Sequence, residues 1–275
     1  MQALRVLFYT AIIVVAMLRF SGAITTVSLT GICSSNTINA TNHFLQFSLH
    51  NSGNGFASNL DIVPIFHGFS TSNAIETIPE LGPNSSAYFS FDLYNFSLPG
   101  SYVESFVAYY QQGSSSFSTM YSCLVNVGSL APSMLTISSG EFKNDIINVS
   151  IINLASYPIN ATVEVYAPPS SFKINNSIVN VSFSGYASKS IMFKMIPPKY
   201  SNATIPIAVG VSYIKNGMHY ANIRFVTVVL RGSSNNYEFY IILATITVII
   251  IITALIVISI AKHSKRKRLE GKASQ

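Results

Sequence analysis

The sequence predicts an all-β protein: two tandem Ig-like β-sandwich domains followed by one C-terminal transmembrane helix. Three observations predict it. Between residues 24 and 232 helical periodicity is absent, and apolar residues alternate with polar ones at period two. The strand-and-turn pattern of the first half recurs about 103 residues later, the mark of a tandem duplication. Residues 239–261 then run for 23 positions without a charge and end on a basic cluster.

Residues 1–23 read as a secretory signal. Arg5 lies in the n-region, an apolar run extends from Val6 to Leu18, and Ser21-Gly22-Ala23 puts small residues before a cut after Ala23. The run would rise only about 20 Å as a helix, short of a hydrocarbon core of about 30 Å. Arg19 directly after it keeps an uncleaved anchor open as the alternative.

The first half, residues 24–130, offers strands near 24–32, 43–50, 59–66, 86–93, 101–110 and 115–125. Clusters of Pro, Gly, Asn and Ser separate them. Glu76 and Glu80 fall beside Pro79 and read as a loop. The second half, residues 131–232, offers strands at 133–138, 145–153, 159–167, 177–183 and 188–195. Its clearest element is a hairpin. From Ile205 to Tyr213 the odd positions make one apolar face, Asn216-Gly217 gives a strong hairpin turn signal, and Met218–Leu230 returns with Ile223, Phe225 and Val229 on one face.

A linker at 233–238 leads to the span at 239–261, flanked by Tyr237, Phe239 and Tyr240 where an aromatic belt belongs. The tail, residues 262–275, carries Lys262, Lys265, Arg266, Lys267 and Arg268. The positive-inside rule puts that cluster in the cytoplasm. The expected topology is single-pass type I in the plasma membrane, with the lipid bilayer as one partner.

The halves align in detail. Asn51 after the strand at 43–50 matches Asn153, and the Gly113 turn matches Asn216-Gly217. The strand ending in Asn51-Ser-Gly53, then Ala57-Ser-Asn59-Leu60, Leu81-Gly-Pro-Asn-Ser85 before a strand, and Gly100-Ser-Tyr102 before another, resembles the CARDB-type adhesion module. It is similar also to the S-layer-like Ig-fold domains of archaeal surface proteins. The resemblance spans both halves and is better in the first, because no Gly follows Asn153 closely. It implies spacers and contact surfaces on a cell envelope. The antibody-type pattern fits poorly: there is no Trp, and Cys33 and Cys123 stand about 90 residues apart.

Charge sharpens this. Only 9% of the 275 residues are charged, against about 25% in soluble domains. The net charge of +6 sits in the two ends. The segment outside the membrane is close to neutral, which argues against nucleic acid as a partner there. Residues 24–131 hold five acids and neither Lys nor Arg, whereas residues 132–238 hold eight bases and four acids. Complementary packing of halves or copies is one reading; drift in a charge-poor chain is the simpler one.

Cys33 and Cys123, both outside the membrane, are expected to form a disulfide between the first and last strands of the first sandwich. Eight Asn-x-Ser/Thr sequons stand at Asn39, Asn84, Asn95, Asn148, Asn160, Asn175, Asn180 and Asn202. They are candidate glycosylation sites. Nothing reads as a catalytic, cofactor or metal site. His43, His50, His67 and His219 form no ligand pair and read as surface or turn residues. Asp61 and Glu164 occupy matching repeat positions on what read as exposed strand faces. Of Tyr88, Tyr94, Tyr102, Tyr109, Tyr110 and Tyr121, half are expected in the core and the rest in a contact patch for protein or glycan.

The expected function is therefore non-enzymatic: adhesion, spacing or surface assembly, with an envelope protein or glycan partner and scope for self-association. The alternative is a non-catalytic accessory subunit of a membrane complex for secretion, glycosylation or transport.

Overall fold

A computed structural model describes residues 25–34, 37–39, 41–130, 132–197 and 203–230, with isolated helical positions at 246, 247, 253, 256 and 258. The signal segment, Asn202, the linker, the basic tail and almost all of the span lie outside the described residues. The chain divides into two units, Met1–Leu230 and Arg231–Gln275. Among the described residues no helix is long and apolar enough to cross a membrane.

The first unit is all-β, with sixteen strands among its described residues. The first eight are β1 (Leu29–Cys33), β2 (Phe44–Asn51), β3 (Ala57–Ile65), β4 (Ser70–Thr71), β5 (Glu76–Leu81), β6 (Ser85–Tyr94), β7 (Gly100–Gln112) and β8 (Ser115–Val127). The next eight are β9 (Leu135–Lys143), β10 (Ile146–Asn153), β11 (Ile159–Tyr166), β12 (Lys173–Ile174), β13 (Ile178–Phe183), β14 (Ser188–Ile196), β15 (Ala203–Lys215) and β16 (Met218–Leu230). Each set builds an Ig-like sandwich. Sheet β1-β2-β6-β4 faces β5-β3-β7-β8, and sheet β9-β10-β14-β12 faces β13-β11-β15-β16. The order is the same in both halves.

The long hairpins repeat pair for pair: Gly100 pairs with Val127 and Gln112 with Ser115, as Ala203 pairs with Leu230 and Lys215 with Met218. Asn216 and Gly217 take φ of 51° and 72°, the two positive angles that a type I′ turn needs. Gly113 supplies φ 61° at the matching place.

Alternation fills the cores. In β2, Leu45, Phe47 and Leu49 point in while Phe44, Gln46 and His50 point out. The first core is aromatic, with Phe47 stacked on Phe106 at 4.5 Å and Phe66 edge-on to both Phe91 and Phe106. The second is mainly aliphatic, around Val149, Ile151, Val163, Val209 and Val211, with Phe183 and Phe193.

Two fully buried asparagines hold matching corners. Asn51 Nδ2 donates to the carbonyls of Gly55 and Leu81 at 2.8 and 3.1 Å, and its Oδ1 accepts from the Gly53 amide. Asn153 Nδ2 donates to Tyr157 and Ser184 at 2.8 and 3.0 Å, and its Oδ1 accepts from Ala155. Each side chain thus ties the chain end of one strand to two others.

One strand reading needs correction. Glu76 and Glu80 are not in a loop but in β5, paired with Ile62 and Ser58 of β3. Pro79 between them is tolerated because β5 is an edge strand, bonded to β3 alone. The two-residue β4 and β12 had no pattern long enough to read. In β16 the core face is Val226, Val228 and Leu230, while Phe225 and Val229 are each 55% exposed. That inward face continues through Arg224 and Asn222, which donate to the carbonyls of Ile137 and Leu135 in β9.

The sandwiches are joined through β7 and β16. His219 and Gly100 form a parallel bridge, and the His219 amide donates to the Pro99 carbonyl at 2.8 Å. Gly100 has φ 132°, and a Cβ there would run into the His219 carbonyl. Glycine suits this position for both reasons. Val103, Met120 and Leu124 meet Tyr166, Ala208, Ala221 and Ile223. Ser118 and Ser170 exchange amide-to-hydroxyl bonds, each 3.0 Å. The contact is mainly apolar and hydroxylic, and among the described residues its one ion pair is His67 with Glu164, so the Lys and Arg of the second half are not what binds it to the first.

Candidate functional site

The join leaves a cleft of about 320 Å3 between the sandwiches. The first sandwich contributes His67, Gly68, Leu98, Tyr102 and Val103; the second contributes Thr162, Glu164, Tyr166, Ile214 and His219. His67 lies in the β3–β4 loop and is exposed, as a turn histidine should be, but stands at the edge of this cleft.

Behind the cleft lies Glu104. It is fully buried, on a stretch of β7 covered on both faces from Gly100 to Ala108. Its Oε2 accepts from the His67 amide at 3.0 Å, and its Oε1 has no hydrogen-bond partner. Burial raises its pKa to about 8, helped by the negative charge of Glu164 and opposed by the His67 and Gly68 amides. At neutral pH Glu104 is therefore mainly protonated.

Glu164 is not on an exposed strand face. Its side chain retains 18% of its accessibility, its Oε1 lies 3.7 Å from His67 Nε2, and its Oε2 accepts from the Tyr166 hydroxyl at 2.8 Å. Burial first, then the nearby Glu164 charge, raise the Tyr166 pKa, so the phenol stays protonated and keeps donating.

His219 is likewise not a free surface residue. Its ring stacks on Tyr102 at 4.0 Å and 1°. Nδ1 lies 2.6 Å from the Ser101 carbonyl, which only accepts, so Nδ1 carries the hydrogen. Burial lowers its pKa. The Tyr102 hydroxyl donates to the Leu98 carbonyl at 2.6 Å, and burial raises its pKa.

The cleft thus presents one carboxylate, two tyrosine rings and two imidazoles, and none of its lining residues is Lys or Arg. Among the described residues no group of three His, Cys, Asp or Glu is placed to hold a metal ion.

The other singled-out residues are dispersed. His43 sits 3.4 Å from Asp92, His50 Nδ1 is 3.0 Å from the Ser86 hydroxyl, and Asp61 accepts from Thr77 at 2.7 Å. Cys33 of β1 and Cys123 of β8 are joined as a disulfide, Cα atoms 6.2 Å apart, bridging the two sheets of the first sandwich. Seven sequon asparagines are described (Asn39, Asn84, Asn95, Asn148, Asn160, Asn175 and Asn180), and every one is exposed.

Among the tyrosines, Tyr102 is buried, Tyr110 and Tyr121 are half-buried, and Tyr88, Tyr94 and Tyr109 are exposed. Tyr88 is 83% and Ile32 66% exposed, on either side of a shallow groove across β1, β2 and β6. No sequon asparagine lies within those three strands, although Asn84 immediately precedes β6 and Asn95 immediately follows it.

Sequence reading missed the cleft. The one signal for it was Glu104, a lone acid in an otherwise uncharged thirteen-residue strand.

No protein-family model matches the chain, and neither does any curated protein. Among solved structures, the E. coli chaperone DraB is similar at 9% identity and TM-score 0.29, over 74% of this chain and 97% of that one. The Pseudomonas aeruginosa CupB2 chaperone is similar at 12% and 0.29, over 73% and 100%. The Salmonella enterica SafA pilin–SafB chaperone complex is similar at 9% and 0.30, over 76% and 99%. Likenesses this distant carry no statement about what the chain binds; the Ig-like sandwiches are read from its own strand order.

Proposed function

We propose that this chain is a non-catalytic, glycosylated, single-span protein of the cell envelope. It holds two joined β-sandwiches outside the plasma membrane for adhesion, spacing or surface assembly. The observation that carries this reading is the distribution of its surface: all seven described sequon asparagines are exposed, and none lies on the strands that present Ile32 and Tyr88. The corresponding sheet of the second sandwich carries a sequon, Asn148, on β10. Glycans would hydrate the charge-poor surface and leave the Ile32–Tyr88 face for a protein partner. The resemblance to CARDB-type and archaeal S-layer-like modules, the apolar span and the basic tail support the same role.

Crosslinking in native membranes with mass spectrometry tests it. Envelope or appendage proteins are expected among the products, reduced in a Tyr88→Ser/Ile32→Ser double variant, with glycan mass on the sequon peptides. Products drawn from a translocase or transferase instead would overturn it in favour of an accessory subunit.

A further inference from the structure

We propose that the cleft between the sandwiches binds an organic ammonium group, with Glu164 as counter-ion and the Tyr102 and Tyr166 rings as walls. This goes beyond the envelope role and does not depend on it.

Three features select the ligand. First, Glu164 is four-fifths buried yet faces no Lys or Arg in the cleft. A carboxylate withdrawn from water favours a cation beside it. Its internal candidate is His67, whose Nε2 is 3.7 Å away and charged only when protonated. Second, the Tyr166 hydroxyl holds Oε2 at 2.8 Å, so the carboxylate is oriented with Oε1 left toward His67. Third, the walls are preorganised: Tyr102 and Tyr166 line the cleft, Tyr102 fixed by its stack on His219 and its bond to Leu98, so the site beside Glu164 needs little ordering to accept a ligand.

Other ligands fit less well. An anion would meet Glu164 with no cation to offset it. A metal ion lacks a three-ligand set among the described residues. A neutral sugar would leave the carboxylate charge uncompensated. The volume of about 320 Å3 is at the small end for ligand sites, which suits an alkylammonium carried by a free amine or by a lysine side chain.

The test is NMR of the full chain in detergent micelles, following histidine and tyrosine ring signals. The probes are n-butylammonium chloride and Nα-acetyl-lysine amide, with sodium chloride at matched ionic strength. Expected are saturable millimolar shifts at Tyr102, Tyr166 and His67 with the ammonium probes only. Tighter binding of the lysine probe would identify a protein side chain as the source, and tighter butylammonium binding a free amine. Glu164→Gln should weaken binding at least tenfold, Tyr166→Phe less, and Glu76→Gln on β5 not at all. A thermal melt of each variant separates loss of the site from loss of the fold. The inference fails if sodium chloride gives the same shifts, if wild type does not saturate, or if folded Glu164→Gln or, should that variant not fold, folded Tyr166→Phe binds as wild type does.

Discussion

Glu104 couples the protonation of one side chain to the stability of the whole first unit. Its carboxyl titrates near 4.5 when solvated and near 8 in the fold. Between those values the unfolded chain ionises while the folded chain keeps its proton, so stability is full below about 4.5 and falls as pH rises toward 8. The loss is on the order of a few kcal/mol. Urea midpoints should therefore drop between about pH 5 and pH 8 in wild type and drop much less in Glu104→Gln; equal slopes would refute the assignment. Asn51 and Asn153 make a second residue-scale prediction. Replacing either by Ala strands two carbonyls, the buried Gly55 and Leu81 in one case, the part-buried Tyr157 and Ser184 in the other. Each should cost roughly 2–4 kcal/mol in denaturant unfolding. The sequence marked this pair as equivalent by position, but not the bonds they make, because those partners lie 4 and about 30 residues away.

At the scale of elements, legibility followed length and alternation. The hairpin β15–β16 was plain from thirteen-residue strands around Asn216-Gly217. Strand β5 was hidden because Pro79 and two acids look like a turn, and only its place at a sheet edge makes them acceptable. In β16 the shared face of Ile223, Phe225 and Val229 was legible, but not that the opposite face fills the core, since Arg224 and Asn222 are spent on β9 carbonyls that a single strand does not disclose. The join between β7 and β16 makes its own prediction. Gly100→Ala adds a Cβ in a left-handed-side φ and against the His219 carbonyl. The bridge should open, separating the Tyr102 and His219 rings. The expected readouts are a lower melting temperature and loss of the upfield ring-stacking shifts of His219, with the Cys33–Cys123 sandwich still folded.

For the molecule as a whole, the duplication was readable and the cleft was not. Two halves with the same strand order follow from a pattern repeated along one chain. A site between them depends on which face of one half meets the other, and alternation within a strand carries no such information. In the fold the meeting of the halves shows as β7, buried without alternation from Gly100 to Ala108, where an isolated sandwich would show one wet face. His67 and Glu164 are 97 residues apart and Glu164 and His219 are 55, yet one cleft collects all three. The Cys33–Cys123 bond has a consequence of a different kind. Its 90-residue loop encloses every strand of the first sandwich between β1 and β8. A protease that nicks any turn within that loop severs the backbone but releases nothing: both pieces remain on one covalent body and migrate as intact protein until a reductant parts them.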